Sequence, residues 1–134
     1  MSEVVIWYEG NLSTRSIEEH GTEIITDAPK DNQGLGRTFS PTDLVGVALG
    51  SCSLTLMGIA AKKLNVDIGN TRAVVTKNMS ARPPRRIAVL HVEVFCPFQF
   101  SEQVTAALIE AVETCPVHKS LHPDMAQEFV FHWG

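Results

Sequence analysis

The stretch Ser40–Leu64, SPTDLVGVALGSCSLTLMGIAAKKL, constrains this chain more than any other. Ser40 suits a helix N-cap, Pro41 the first helical position, and Asp43 the place from which a capping-box acid reaches back. Lys62 and Lys63 fall in the last turn, where cations oppose the helix dipole, and Asn65 lies beyond. No charged residue occurs between Leu44 and Ala61, and apolar side chains such as Leu44, Val47, Leu49, Leu54, Met57 and Ile59 spread over every face. A helix apolar all round is expected to be buried all round. Its length would also span a bilayer. Gly46, Gly50, Ser51, Ser53, Thr55 and Gly58 dilute its apolarity, however, and the flanking segments read as strands of a soluble domain. The expectation is therefore a soluble protein without a membrane span. A chain of 134 residues has little material with which to enclose such a helix alone. The expected state is a homodimer in which two subunits enclose each other's helices.

Length predicts one domain, residues 1–134. A net charge of −4 argues against a general nucleic-acid binder. The segment MSEVVIWYEG is acidic and reads as a strand rather than a signal peptide, so a cytoplasmic location is expected. Cys52, Cys96 and Cys115 are an odd number without framework spacing, which argues against a structural disulfide set. There is no C-x-x-C, H-E-x-x-H or Gly-rich phosphate loop.

Three short antiparallel strands are expected at Val4–Tyr8, Leu12–Glu18 and Thr22–Thr26, divided by turn signals at Glu9-Gly10-Asn11 and His20-Gly21. Asp27–Phe39 is a loop by its Pro, Gly, Asp and Asn content, and it delivers Arg37 just before the long helix. Arg72–Met79 and Arg86–Cys96 form a longer pair of strands. Their Pro-stiffened connection carries Arg82, Arg85 and Arg86, a solubilising tip or an anion contact. Ser101 caps a second helix that runs to about Thr114, and Pro116 breaks it. A short turn over Val117–Leu121 then places Cys115 at an N-cap, where unpaired N–H groups favour a thiolate. Phe129–Trp133 is the last strand. The order gives an α+β fold with antiparallel sheets around buried helices.

Cys52 and Cys115 both face inward on different helices. Two readings stand: small core residues, or a redox pair. In the second, a peroxidatic thiolate becomes a sulfenic acid and a second thiol condenses with it to a disulfide, which an external thiol reduces. That chemistry needs a nearby cation, Arg37 or Arg15, and sulfurs within disulfide reach.

The long-helix motif followed by CPVHKSL resembles the OsmC/Ohr family of thiol-dependent organic hydroperoxide reductases, over most of the chain. The resemblance implies an OsmC-like intertwined homodimer with two central helices between curved sheets and active sites at the subunit interface. It implies Cys52 as peroxidatic and Cys115 as resolving cysteine, with Arg37 or Arg15 as the catalytic cation. The implied substrate is an organic hydroperoxide and the implied reductant an external dithiol such as a lipoyl group, with no metal or bound cofactor expected. The family's peroxidases hold the arginine with a glutamate ten residues before the reactive cysteine; here that position is Thr42, beside Asp43. His118 is a further candidate to polarise Cys115, or an exposed turn residue. The departure at Thr42 keeps a second function open, a small-molecule binding or stress-associated protein with the same fold and little peroxidase activity.

Overall fold

The computed structural model describes residues 2–134, which form two compact units, the first ending at Val45 and the second spanning Gly46–Gly134.

The first unit is a meander of three antiparallel strands, β1 (Val4–Gly10), β2 (Ser13–Glu18) and β3 (Glu23–Asp27), with β2 central. Asn11 and Leu12 take positive φ at the β1–β2 turn, and the register shifts between Tyr8 and Gly10. Val4, Val5, Ile6, Trp7 and Tyr8 are all more than half exposed, so side chains on both faces of β1 are open. After β3 the loop folds back on itself. The Asp27 N–H donates to the Phe39 carbonyl at 2.9 Å, and the Gly36 N–H to that of Ala28 at 3.1 Å. At Gly34 a Cβ would lie 1.7 Å from the Ala28 carbonyl oxygen, so this tight loop admits only glycine there.

The long helix, α1 (Pro41–Lys63), begins as its sequence predicts. Ser40 Oγ accepts the Asp43 N–H at 3.1 Å, while Asp43 Oδ2 accepts the Ser40 N–H at 2.9 Å, a reciprocal capping box.

In the second unit, β4 (Arg72–Met79), β5 (Ile87–Cys96) and β6 (Ala126–Trp133) form a sheet in the order β4-β5-β6. Leu90, Val92, Val94 and Cys96 alternate onto its buried face. Two glycines let α1 lie close on that face: a Cβ at Gly46 or at Gly50 would each sit 3.1 Å from a methyl of Val75. Leu49, Ser53, Met57 and Ala61 are buried there. The opposite face is polar: the Arg72 guanidinium covers Phe95, Phe95 stacks on His132, and His132 bonds Glu93 at 2.9 Å.

The α+β class holds, but the second sheet is not wholly antiparallel as expected. β4 and β5 pair antiparallel, whereas β6 runs parallel to β5. The chain leaves β5 and returns through two helices, α2 (Glu102–Glu113) and α3 (Pro116–Ser120). A helical connection of that length carries the chain back to the end where β5 began, as parallel pairing requires. α2 opens on the expected cap, with Ser101 Oγ accepting the Val104 N–H at 3.2 Å, and it buries Leu108 and Val112.

Within the single chain α1 is covered over only part of its surface, as the short length of the chain leads one to expect. α1 is long and apolar enough by length and composition to cross a membrane, and within this chain it buries Gly46, Leu49, Gly50, Ser53, Met57 and Ala61. One uncharged stripe, Val47, Ser51, Thr55 and Ile59, stays exposed, with Val47 at 44% and Ile59 at 47%. These positions follow an i, i+4 spacing and so share one face.

Candidate functional site

Cys52 sits midway along α1 and is half-buried; Cys115 sits where α2 ends and α3 begins, with 0% exposure. Both are free thiols, and Cys52 lies near enough to Cys115 to raise its pKa. The local sequence explains the second position. Pro116 cannot extend α2, and it opens α3 at a position where its missing N–H costs nothing. Cys115 becomes the N-cap, and its Sγ accepts the His118 N–H at 3.4 Å. Burial, and then the neighbouring Cys52 thiol, push the Cys115 pKa up, while the His118 and Val117 N–H groups pull it down. The expected N-cap geometry is therefore present, but burial outweighs it and Cys115 rests as the protonated thiol.

His118 reaches Cys115 through its backbone alone. Its imidazole Nδ1 pairs with Gln127 Oε1, and its ring stands edge-on to Phe129. Gln127 Nε2 in turn donates to the His118 carbonyl at 3.2 Å, which ties α3 to β6. Beside this tie lies an open groove of about 530 Å³, lined by Ile109, Val112, Glu113, His118, Lys119, Gln127, Phe129 and Phe131. Neither cysteine lines it. Cys96 is buried on β5, as a core residue should be.

In the first unit the two candidate arginines differ. Arg15, on β2, donates to Glu9 at 2.7 Å and to Glu23 at 2.8 Å on the flanking strands. Arg37 is held by Asp27. Its Nε donates to Asp27 Oδ2 at 2.9 Å, its Nη2 to Oδ1 at 3.4 Å, and its own backbone N–H to Oδ2 at 3.0 Å. Asp27 is 1% exposed, whereas the Arg37 side chain is 57% exposed. The hydrogen bonds from Arg37 hold the Asp27 carboxyl below its usual range, against the desolvation that opposes ionisation, and Asp27 raises the arginine in turn. Asp43 is engaged in the capping box, and the Thr42 hydroxyl lies 3.2 Å from that of Ser40. Sequence reasoning passed over Asp27. The signal was an acid at the end of a strand, facing an arginine across a loop of about ten residues whose ends must meet.

Among the described residues, no three His, Cys, Asp or Glu side chains cluster as a metal site requires. Two adjoining free thiols, one partly open and one closed, can exchange between a dithiol and a disulfide.

No match was found among curated proteins. A family model described as OsmC-like protein matches residues 33–128. Among solved structures, the chain is similar to a Psychrobacter arcticus 273-4 protein provisionally assigned to the osmotic stress induced and detoxification response. The identity is 42% and the TM-score 0.93, over 98% of this chain and 96% of that one. It shares its fold with an organic hydroperoxide resistance protein OsmC from Legionella pneumophila, at 12% identity and a TM-score of 0.79, over 98% of this chain and 96% of that one. A similar likeness links it to an organic hydroperoxide resistance protein from Elizabethkingia anophelis, at 12% identity and a TM-score of 0.79, over 100% of this chain and 96% of that one. With the family model covering well over half of its length and the cysteine-bearing helix inside the matched region, the chain belongs to the OsmC-like family.

Proposed function

We propose that this protein reduces organic hydroperoxides through the Cys52–Cys115 pair, using an external dithiol as reductant. Family membership supports the coarser statement, a stress-response or hydroperoxide-resistance role. The observation that carries the finer one is the nearness of two free thiols borne by separate elements, Cys52 within α1 and Cys115 at the α2–α3 junction. Two core cysteines need not be neighbours; a peroxidatic and a resolving cysteine must be.

The chemistry assigns distinct tasks to the two. Cys52 is the more exposed residue of the two and meets the peroxide. Its thiolate attacks one oxygen, the O–O bond breaks, and the alcohol leaves with a proton, so that Cys52 becomes a sulfenic acid. The Cys115 sulfur then displaces water and forms the disulfide. An external dithiol restores both thiols and is itself oxidised. The uncharged flank of α1 suits an alkyl hydroperoxide. Arg37 is the better candidate for the cation that stabilises the thiolate, because its guanidinium is both held by Asp27 and largely exposed. Arg15 divides its donors between Glu9 and Glu23. In this reading Asp27 performs for Arg37 what the family glutamate would perform from position 42.

The working unit in this proposal is a cytoplasmic homodimer. The exposed β1 side chains and the uncharged stripe on α1 support a second copy as their cover. A second function, ligand binding without turnover, draws support from Thr42 in place of the glutamate.

The test is hydroperoxide consumption with dihydrolipoamide as reductant. Wild type turns over cumene hydroperoxide, and Cys52→Ser does not. Equal rates in the two proteins would refute the proposal, and tight ligand binding without turnover would favour the second function.

A further inference from the structure

The two sulfurs of the pair differ in how an attacker can reach them. Cys115 has 0% exposure, whereas Cys52 is partly open. Thiol–disulfide exchange needs the incoming thiolate to reach one sulfur from the side opposite its partner, so access selects the sulfur attacked. We infer that in the disulfide form an incoming thiol bonds to Cys52 and expels Cys115, so that reduction passes through one mixed disulfide, on Cys52. This inference rests on the proposed redox pair and adds the direction in which the disulfide opens.

The step balances. The external thiol gives up its proton and its sulfur bonds to Cys52 Sγ. The Cys52–Cys115 bond breaks with its electron pair on Cys115. The departing sulfur meets the His118 N–H, which already donates to it at 3.4 Å, and then takes up a proton. A second external thiol attacks the external sulfur of the mixed disulfide and releases Cys52. The external pair is oxidised to a disulfide and both protein sulfurs end reduced.

Burial makes the alternative order costly. Attack on Cys115 would require an anionic sulfur to enter a closed site, and desolvation already disfavours charge at that position. The groove beside α3 gives no route to it, since Cys115 is not among its lining residues.

The experiment separates this inference from the peroxidase reading by closing the disulfide with diamide instead of peroxide. The oxidised wild-type protein is mixed with glutathione, quenched with acid and N-ethylmaleimide, and mapped by peptide mass spectrometry. The expected product carries glutathione on Cys52 and maleimide on Cys115, in at least about tenfold excess over the reverse isomer, because access governs the attack. Equal isomers, or glutathione mainly on Cys115, would overturn the inference. Failure of diamide to close the pair would overturn it as well. Closure by diamide but not by cumene hydroperoxide would remove the peroxidase reading while leaving the order of exchange to stand or fall on the mapped isomers.

Discussion

Gly50→Ala, made alone and together with Val75→Ala, tests how α1 is seated and hence where Cys52 is held. The added Cβ would lie 3.1 Å from Val75 Cγ2 and 3.9 Å from Ala73 Cβ. The first contact is too tight, so the sheet or the helix must yield by a few tenths of an ångström. Overpacking of this kind costs about 1–3 kcal/mol. Against it, alanine gains about 1 kcal/mol over glycine in a helix interior. Alone, Gly50→Ala is therefore expected to be neutral or to destabilise by up to about 2 kcal/mol. Val75→Ala removes the methyl groups that crowd the site. In that background Gly50→Ala keeps only the propensity term and is expected to stabilise by about 1 kcal/mol. The sign reversal corresponds to a coupling of about 1–3 kcal/mol, within the range for residues in contact. The assay is urea unfolding of the four proteins at one concentration, followed by tryptophan fluorescence. An equal effect of Gly50→Ala in both backgrounds would refute the idea that contact with Val75 sets the approach of α1 to the sheet.

Three further outcomes follow from the same geometry. Ser40→Ala removes the acceptor for the Asp43 N–H and is expected to cost about 1 kcal/mol in urea unfolding; no change would mean that the capping box contributes nothing. Asp27 has a folded-state pKa below its ordinary value of 3.8, so its contribution to stability is complete above that value and is lost as pH falls through the depressed folded pKa. The stability gap between wild type and Asp27→Asn should therefore be wide at neutral pH and narrow in acid, and a gap independent of pH would contradict the ion pair. Sedimentation equilibrium should give twice the 14.7 kDa chain mass, and Ile6→Glu with Trp7→Glu should shift the protein toward monomer. A wild-type monomer at micromolar concentration would leave the exposed β1 side chains without an explanation.

Local signals carried much of this fold in the sequence. The limits of α1 follow from Ser40, Pro41 and Asp43 at one end and the lysines at the other, since caps are chemistry of adjacent residues. The alternation in β5 is likewise a local pattern, and Pro116 marks the end of α2 and the placement of Cys115 at a cap. The direction of β6 is a different matter. Strand patterning says which face is apolar but not which way a neighbour runs, and only the length of the α2–α3 crossover bears on it. The partner of Arg37 was missed for a related reason. Positions 42 and 43 are nearer to Arg37 in sequence, whereas the loop brings Asp27 to the arginine from ten residues away. His118 shows the limit of spacing arguments: three residues after Cys115 is the right offset for a contact, but it is the backbone N–H that makes it.

The central claim is that Cys52 and Cys115 act as one redox unit, and titration of the thiols tests it most directly. The reduced protein is treated with one equivalent of cumene hydroperoxide, and free thiols and intact mass are measured before and after. The account predicts rapid loss of two of the three thiols and a mass decrease of about 2 Da, the signature of an intramolecular disulfide. Three unreacted thiols, or a stable oxygen adduct on one cysteine with the other two unchanged, would contradict it.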